Sequence, residues 1–247
     1  MQDIQLFAID MDGTLLNRHH EISEENKQAI HQAKEAGLHV VVSTGRSLST
    51  CEDIIRVLGD SEYLVTINGG EIYDKDLNLV ERNSLSDADV RHLWDITQRY
   101  NVSYWSSTVQ GRFSSQFPFE KNLEDYEWIK YGFEIQDDEV RESVMEEIRQ
   151  HGAFEVTNSS LTNIEINPIG INKAAALRKV TKWLGITMDN VAAIGDSLND
   201  IAMIRESGFG IAMDNAQSDV KEEANWVTAT NEEHGVAKAI HHVMDNQ

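Results

Sequence analysis

Five short apolar runs constrain the fold of this chain more than any other feature: Leu6–Ile9, Val40–Val42, Tyr63–Ile67, Val191–Ile194 and Phe209–Ala212. They are rich in β-branched and small apolar residues at successive positions, so both faces of each strand need cover, as in a parallel sheet with helices on both sides. Helical patterns lie between them. One starts at Ser23, an N-cap followed by Glu24 and Glu25, and stops at Gly37. Others pass through Ile54, Ile55 and Leu58, through Ala174–Leu184 with a stop at Gly185, and through Leu198–Glu206 and Val236–Met244. The alternation predicts an α/β core, a doubly wound, Rossmann-like parallel sheet contributed by both ends of the chain.

The middle of the chain has a different texture. Aromatic residues concentrate there, Trp94, Tyr104, Trp105, Phe113, Tyr126 and Trp128 among them. Helical patterns at Asp87–Tyr100, capped by Ser86, and Glu139–His151 alternate with segments such as Leu161–Asn167, whose period of two marks a sheet with one wet face. Residues 84–170 therefore read as an α+β domain inserted into a core made of 1–83 plus 171–247. At 247 residues the chain is long enough for both.

Formal net charge is -21, and no Lys/Arg cluster interrupts the acidic surplus, which argues against nucleic acid or an anionic membrane as partner. A single cysteine, Cys51, rules out an intrachain disulfide and reads as a packing residue of an early helical turn. With neither a leader-like N-terminus nor an apolar stretch near 18 residues, the expectation is a cytoplasmic protein.

In open α/β sheets, ligands bind at the carboxyl ends of the strands, so the residues after each run are the ones to inspect. After the first comes Asp10-Met11-Asp12-Gly13-Thr14. Residues i and i+2 of an extended segment point the same way, and two carboxylates held together call for a hard cation such as Mg2+. A plain strand end with turn residues, or a loose calcium loop, is the alternative. After Val40–Val42 comes Ser43-Thr44-Gly45-Arg46, a hydroxyl and backbone N–H groups suited either to a phosphate oxygen or to a helix cap. Lys173 opens a later helix, as a solvated lysine or a phosphate-binding cation. After Val191–Ile194 comes Gly195-Asp196-Ser197-Leu198-Asn199-Asp200, with more polar groups than a cap needs.

In this order the four pieces resemble the haloacid dehalogenase superfamily of phosphotransferases: Asp-x-Asp-Gly-Thr, Thr-Gly-Arg, Lys, and Gly-Asp-x-x-Asn-Asp. Asn68-Gly69-Gly70, Asn172-Lys173 and Ala212-Met213-Asp214-Asn215-Ala216 are similar to further signatures of its Cof-type sugar-phosphatase branch, which carries a type-two α/β cap between the second and third motifs. The resemblance covers essentially the whole chain. It implies a Mg2+-dependent phosphatase acting on small phosphorylated metabolites. Asp10 would be the nucleophile that forms an aspartyl phosphate, and Asp12 the acid and base. Asp10, Asp196 and the carbonyl of Asp12 would ligate Mg2+. Thr44, Lys173, Asn199 and the N–H groups of Met11 and Gly45 would hold phosphate oxygens, with Asp200, Arg46 and Asn68 in support, Asp200 orienting Lys173 or metal-bound water.

The cap sets specificity. Trp105, Arg112 and Phe113 are candidates to face the substrate, Arg112 as a hook for a second anionic group, against a reading in which the aromatics form the cap core and Arg112 is a surface residue. Asp214 departs from the branch by standing where glycine is usual, which adds negative charge close to the phosphate pocket and restricts the backbone, so that it either faces away or shifts substrate preference. Ser43 replaces a common alanine, a change expected to be silent, and the insert is short for the branch. The pairs His19-His20 and His241-His242 read as exposed residues rather than metal ligands. Competing readings are a phosphomutase, and a phosphometabolite-binding regulator without turnover. A dehalogenase needs neither Asp12 nor a metal. A monomer suffices, with a weak homodimer as the alternative.

Overall fold

Covering both faces of the apolar runs takes one large sheet with helices on each side, and the computed structural model, which describes residues 3–59 and 61–246, has it. From the first segment come strands β1 (Leu6–Ile9), β2 (His39–Ser43), β3 (Tyr63–Thr66), β4 (Glu71–Asp74) and β5 (Leu79–Arg82), with helices α1 (Glu24–Glu35) and α2 (Leu48–Arg56). The inserted part holds α3 (Asp87–Tyr100), β6 (Ser103–Thr108), β7 (Gly111–Ser114), β8 (Trp128–Glu134), α4 (Asp138–His151), β9 (Phe154–Thr157) and β10 (Asn163–Pro168). The chain then returns through α5 (Lys173–Leu184), β11 (Val191–Gly195), α6 (Ile201–Glu206), β12 (Phe209–Ala212), α7 (Ser218–Glu223), β13 (Trp226–Val227) and α8 (Gly235–Asp245).

Over the described residues the large sheet has the order β13-β12-β11-β1-β2-β3-β4-β5 and is parallel from β13 to β3. Central strand β1 pairs in register with both neighbours, Ile9 opposite Ile194 and Val42. Successive residues of β1 serve opposite layers. Phe7 and Ile9 pack with Ile30 of α1, Ile55 of α2 and Ile240 of α8. Leu6 and Ala8 pack with Leu177 of α5, Met203 of α6 and Val220 of α7. That division is why the run has to be apolar at every position. Cys51 is buried in the first layer, where burial pushes its thiol up to about 12, so it is a packing residue.

The parallel pattern does not run to the edge. β4 and β5 form an antiparallel hairpin whose turn is held by the Asp74 carboxylate, Oδ1 accepting from the N–H groups of Asp76 and Asn78. The helix expected from Leu198 also starts later. A 3-10 turn covers Leu198–Asp200 and α6 begins at Ile201.

The insert makes a second sheet, antiparallel, in the order β7-β6-β8-β10-β9. Alternation sorts its residues, apart from Trp128, which a register shift beside Thr108 carries into the hydrophobic layer. Tyr104, Tyr131, Phe133, Ile164 and Ile166 pack under Leu93 of α3 and Ile148 of α4. Trp105, Lys130, Gly132, Glu165 and Asn167 occupy the intervening positions and face the other way.

Candidate active site

β1 lies between β2 and β11, so the polar residues after these three strands converge on one edge of the sheet. The N–H of Asp10 donates to the carbonyl of Ile194 (2.9 Å), holding Asp10 at the strand end with its side chain 6% exposed. The chain then turns at Gly13, whose φ is 80°. A Cβ on Gly13 would lie 2.4 Å from Asp196 Oδ2, so only glycine lets the first loop and the Asp196 loop approach this closely. Asp196 is held by two hydroxyls, Thr14 Oγ1 donating to Oδ1 (3.0 Å) and Ser197 Oγ to Oδ2 (3.1 Å).

Lys173 is the first residue of α5 and fully buried. Its ammonium bridges Asp10 Oδ1 (2.5 Å) and Asp200 Oδ1 (2.7 Å). The second oxygen of Asp200 accepts from the N–H groups of Asp196 (3.0 Å) and Ser197 (3.1 Å). Asp200 is thus occupied in aiming Lys173 and fixing the loop that carries Asp196. Asp12 faces the mouth of the site, with Arg46 forked onto its carboxylate through Nε (2.8 Å) and Nη2 (2.5 Å). Thr44 is buried and its hydroxyl accepts from the N–H of Arg46 (3.1 Å), closing the Thr44–Arg46 turn. Met11 puts its side chain into the core, which leaves its backbone to the site. Asn199 Nδ2 donates to Asn68 Oδ1 (3.3 Å), while the buried Asn199 Oδ1 has no partner among the described residues. Asn68 stands in a left-handed turn, φ 54°, after Ile67 at φ 51°. A β-branched residue there is strained, and such strain concentrates at functional sites.

Charge is unbalanced at the floor. Asp10, Asp196 and Asp200 each bring a ligand oxygen within 4.8 Å of the others, and among the described residues the Lys173 ammonium bridges Asp10 and Asp200. Burial, then the charge of Asp200, raises Asp10 well above the usual carboxylate range and Asp196 to about 6. Burial acts to lower the Lys173 ammonium, but Asp10 and Asp200 overcome it and hold it above its ordinary value. Surplus buried carboxylates with oxygen-only donors fit a hard divalent cation.

The wet face of the insert's sheet is the ceiling of this site. Together floor and ceiling enclose a cavity of about 580 Å³ whose walls include Asp10, Asp12, Asp196, Trp105, Arg112 and Lys130. The two halves are tied. Glu165 Oε2 accepts from Lys130 Nζ (2.6 Å) and from Asn68 Nδ2 (2.6 Å), Asn167 Nδ2 donates to the carbonyl of Ile67 (3.0 Å), and Asn172 Nδ2 to Glu155 Oε1 (2.7 Å). The Trp105 indole packs on Gly132, where a Cβ would come within 2.2 Å of it.

Ten of the core positions singled out in the sequence, Asp10, Met11, Asp12, Thr44, Gly45, Arg46, Lys173, Asp196, Asn199 and Asp200, thus gather on one edge, with Asn68 beside them. Trp105 and Arg112 line the cavity. Phe113 does not: it packs edge-on against Phe119 and Tyr126 in the aromatic core of the insert, because it alternates with Arg112 along β7. Of the two alternatives for Asp214, the structure has the outward one, its carboxylate turned to Lys221 Nζ (3.0 Å). His20 sits exposed at the rim, and His242 stacks on Trp226. Lys130, Glu165, Ser159 and Asn163 were not foreseen as site residues. The polar positions 163, 165 and 167, alternating with Ile164 and Ile166, carried the signal, as did Lys130 between Ile129 and Tyr131.

This arrangement has known counterparts. Residues 7–240 match the family of haloacid dehalogenase-like hydrolases. The chain belongs to that family. It is similar to the 5-amino-6-(5-phospho-D-ribitylamino)uracil phosphatase YcsE of Bacillus subtilis (strain 168), with 54% identity covering 97% of this chain and 96% of that protein. It is also similar to the phosphatase YwpJ of the same organism, at 30% identity over 98% of this chain and all of that one. A solved haloacid dehalogenase-like hydrolase from B. subtilis superposes with a TM-score of 0.89 at 27% identity, covering 97% and 100% of the two chains. The haloacid dehalogenase-like hydrolase described here is accordingly a phosphatase, a phosphoric monoester hydrolase, with an α/β core and an α+β cap. Among the described residues, no helix is long and apolar enough to cross a membrane.

Proposed function

We propose that this phosphatase hydrolyses a small phosphorylated metabolite through an aspartyl phosphate on Asp10, with Mg2+ as cofactor. The observation that carries the reading is Asp10 at the floor of a capped cavity, paired with the Lys173 ammonium at 2.5 Å and flanked by Asp196. One carboxylate oxygen of Asp10 attacks phosphorus and the ester P–O bond breaks, with Asp12 protonating the departing alkoxide. Asp12, now a base, takes a proton from water as the water oxygen bonds to phosphorus. The bond to Asp10 breaks and inorganic phosphate leaves. Lys173, Thr44, Asn199 and the N–H groups of Met11 and Gly45 hold the non-bridging oxygens, and Asp200 keeps Lys173 in place. Asp10, Asp196 and the Asp12 carbonyl would hold Mg2+, which when bound neutralises charge between carboxylate and phosphate.

Residues 84–170 act as the specificity cap, with Trp105 and Arg112 meeting the part of the substrate beyond the phosphate. The relative at 54% identity makes a phosphoribityl-aminouracil the first compound to try. Trp105 offers an aromatic surface and Arg112 several N–H donors for such an acceptor-rich leaving group. Because one copy of the chain supplies the cavity lining named here, a monomer suffices.

The test is free phosphate release from a panel of phosphorylated metabolites, with Mg2+ and with EDTA. The expected result is metal-dependent release, strongest for the phosphoribityl compound. Transfer to a second sugar without free phosphate would replace the hydrolase by a mutase, and undiminished release in EDTA would remove the cofactor.

A further inference from the structure

The cap brings its own cation to the reacting group. Lys130 and Glu165 form a buried pair, their side chains 2% and 6% exposed, on the sheet face that roofs the cavity. A lysine ammonium has three N–H donors. Among the described residues, Lys130 spends one of them on Glu165 at 2.6 Å, and its Nζ stands 5.2 Å from the centroid of the Trp105 ring. Glu165 is shared further, with Asn68 and with Ser159 (2.7 Å). A Cβ built on Gly45 would lie 3.5 Å from Lys130 Nζ, so the ammonium hangs over the Thr44–Arg46 turn of the core rather than over remote solvent. The other cations on the floor are engaged: Lys173 by Asp10 and Asp200, Arg46 by Asp12.

An ordinary buried ion pair in a cap would be turned into that domain's own hydrophobic layer. This one lines the active-site cavity, with donors to spare, above the turn assigned to the phosphate. We propose that Lys130 is a substrate-contacting residue, donating from the cap side to the phosphoester oxygens of the bound substrate. This rests on the phosphatase mechanism above. Every substrate carries the phosphoester, so Lys130 acts on all substrates alike, whereas Trp105 and Arg112 discriminate among them.

Removing Lys130 alone strands Glu165 as an unpaired buried charge, so the decisive variant neutralises both. Lys130→Met combined with Glu165→Gln keeps an acceptor oxygen for Asn68, and Glu165→Gln alone is its control. The measurement is kcat/KM in Mg2+ for p-nitrophenyl phosphate and for ribitol 5-phosphate, together with the inhibition constant of inorganic phosphate. Loss of a charge-assisted hydrogen bond to the reacting group is expected to lower kcat/KM of the double variant at least about tenfold below its control, on both substrates, and to weaken phosphate inhibition. A double variant within about threefold of the Glu165→Gln control on both substrates overturns the proposal, because a change below 1 kcal/mol leaves no room for such a bond. Asp10→Asn, assayed alongside, tests the underlying mechanism separately: turnover there removes the aspartyl phosphate whatever Lys130 does.

Discussion

The floor and the ceiling of the cavity are built by different rules. On the floor, Asp10, Thr44 and Asp196 follow directly after β1, β2 and β11, at strand ends where side chains project into a shared crevice. They are short groups, and each is fixed by a neighbour, Asp10 by the Lys173 ammonium, Asp196 by two hydroxyls and Thr44 by the N–H of Arg46. On the ceiling, Trp105, Lys130 and Glu165 sit within β6, β8 and β10, on one face of a sheet whose other face is the cap's hydrophobic layer. They are longer, and packing fixes them as much as bonding does, Trp105 on Gly132 and Lys130 on Glu165. The floor is thus suited to chemistry that admits little variation. The ceiling is suited to changing what is recognised, because face positions of a strand can be exchanged without altering the layer beneath.

Replacing Asp10, the proposed nucleophile of the floor, is the strongest way to test that division. Asp10→Asn keeps shape and removes the carboxylate proposed to attack phosphorus, so turnover is expected to fall by about a thousandfold or more while the fold stays intact. Phosphate release and circular dichroism on the purified variant check both halves. Wild-type turnover would show that the chemistry does not belong to this floor.

Lys173→Met comes next. It deprives Asp10 and Asp200 of their common partner and leaves two buried carboxylates facing each other, a change expected to cost about 3–5 kcal/mol of stability. Substrate binding and rate should both weaken. Denaturant unfolding with and without Mg2+ sharpens the reading, since a cation held by Asp10 and Asp196 is expected to restore part of the loss, and no restoration would argue against that ligand pair.

These two regions also differ in how far they could be read from the amino-acid sequence. The core sheet was legible because a strand covered on both sides must be apolar at every position, which few other structures require. On the floor, Asp10, Thr44 and Asp196 were legible as residues that follow those runs, whereas Lys173, which opens α5, joined them only through the family resemblance of the four motifs taken together. The β4–β5 hairpin was missed, since its Leu79 and Val80 are exposed edge residues with no layer to enforce a pattern. On the ceiling, alternation announced a wet face without saying that the wet face looks into an active site. Only tertiary placement turns Lys130 and Glu165 from surface residues into cavity residues. Phe113 shows the same limit from the other side, one position out of phase with Arg112 and therefore in the core.

Gly132→Ala breaks the ceiling selectively. A Cβ there would meet the Trp105 indole at 2.2 Å, so the ring must leave its seat at a cost of about 1–3 kcal/mol. If Trp105 reads the leaving group, kcat/KM should fall more for a phosphoribityl-aminouracil than for p-nitrophenyl phosphate. Equal losses on the two would assign Trp105 a structural part only.

The smallest effect belongs to Asp214→Gly. Proximity in sequence to the Asn215–Ala216 loop suggests a charge set against the phosphate, but the carboxylate is 58% exposed and paired with Lys221 on the outside of α7. Its backbone lies outside the left-handed region, so glycine is not needed there to form the turn. An exposed ion pair is worth about 0–1 kcal/mol. The substitution is therefore expected to leave kcat/KM within twofold of wild type, "twofold" meaning about 0.4 kcal/mol at 25 °C. A clear rise in phosphate affinity in Asp214→Gly would instead mean that this loop turns inward when substrate binds, and that the floor carries a variable element of its own.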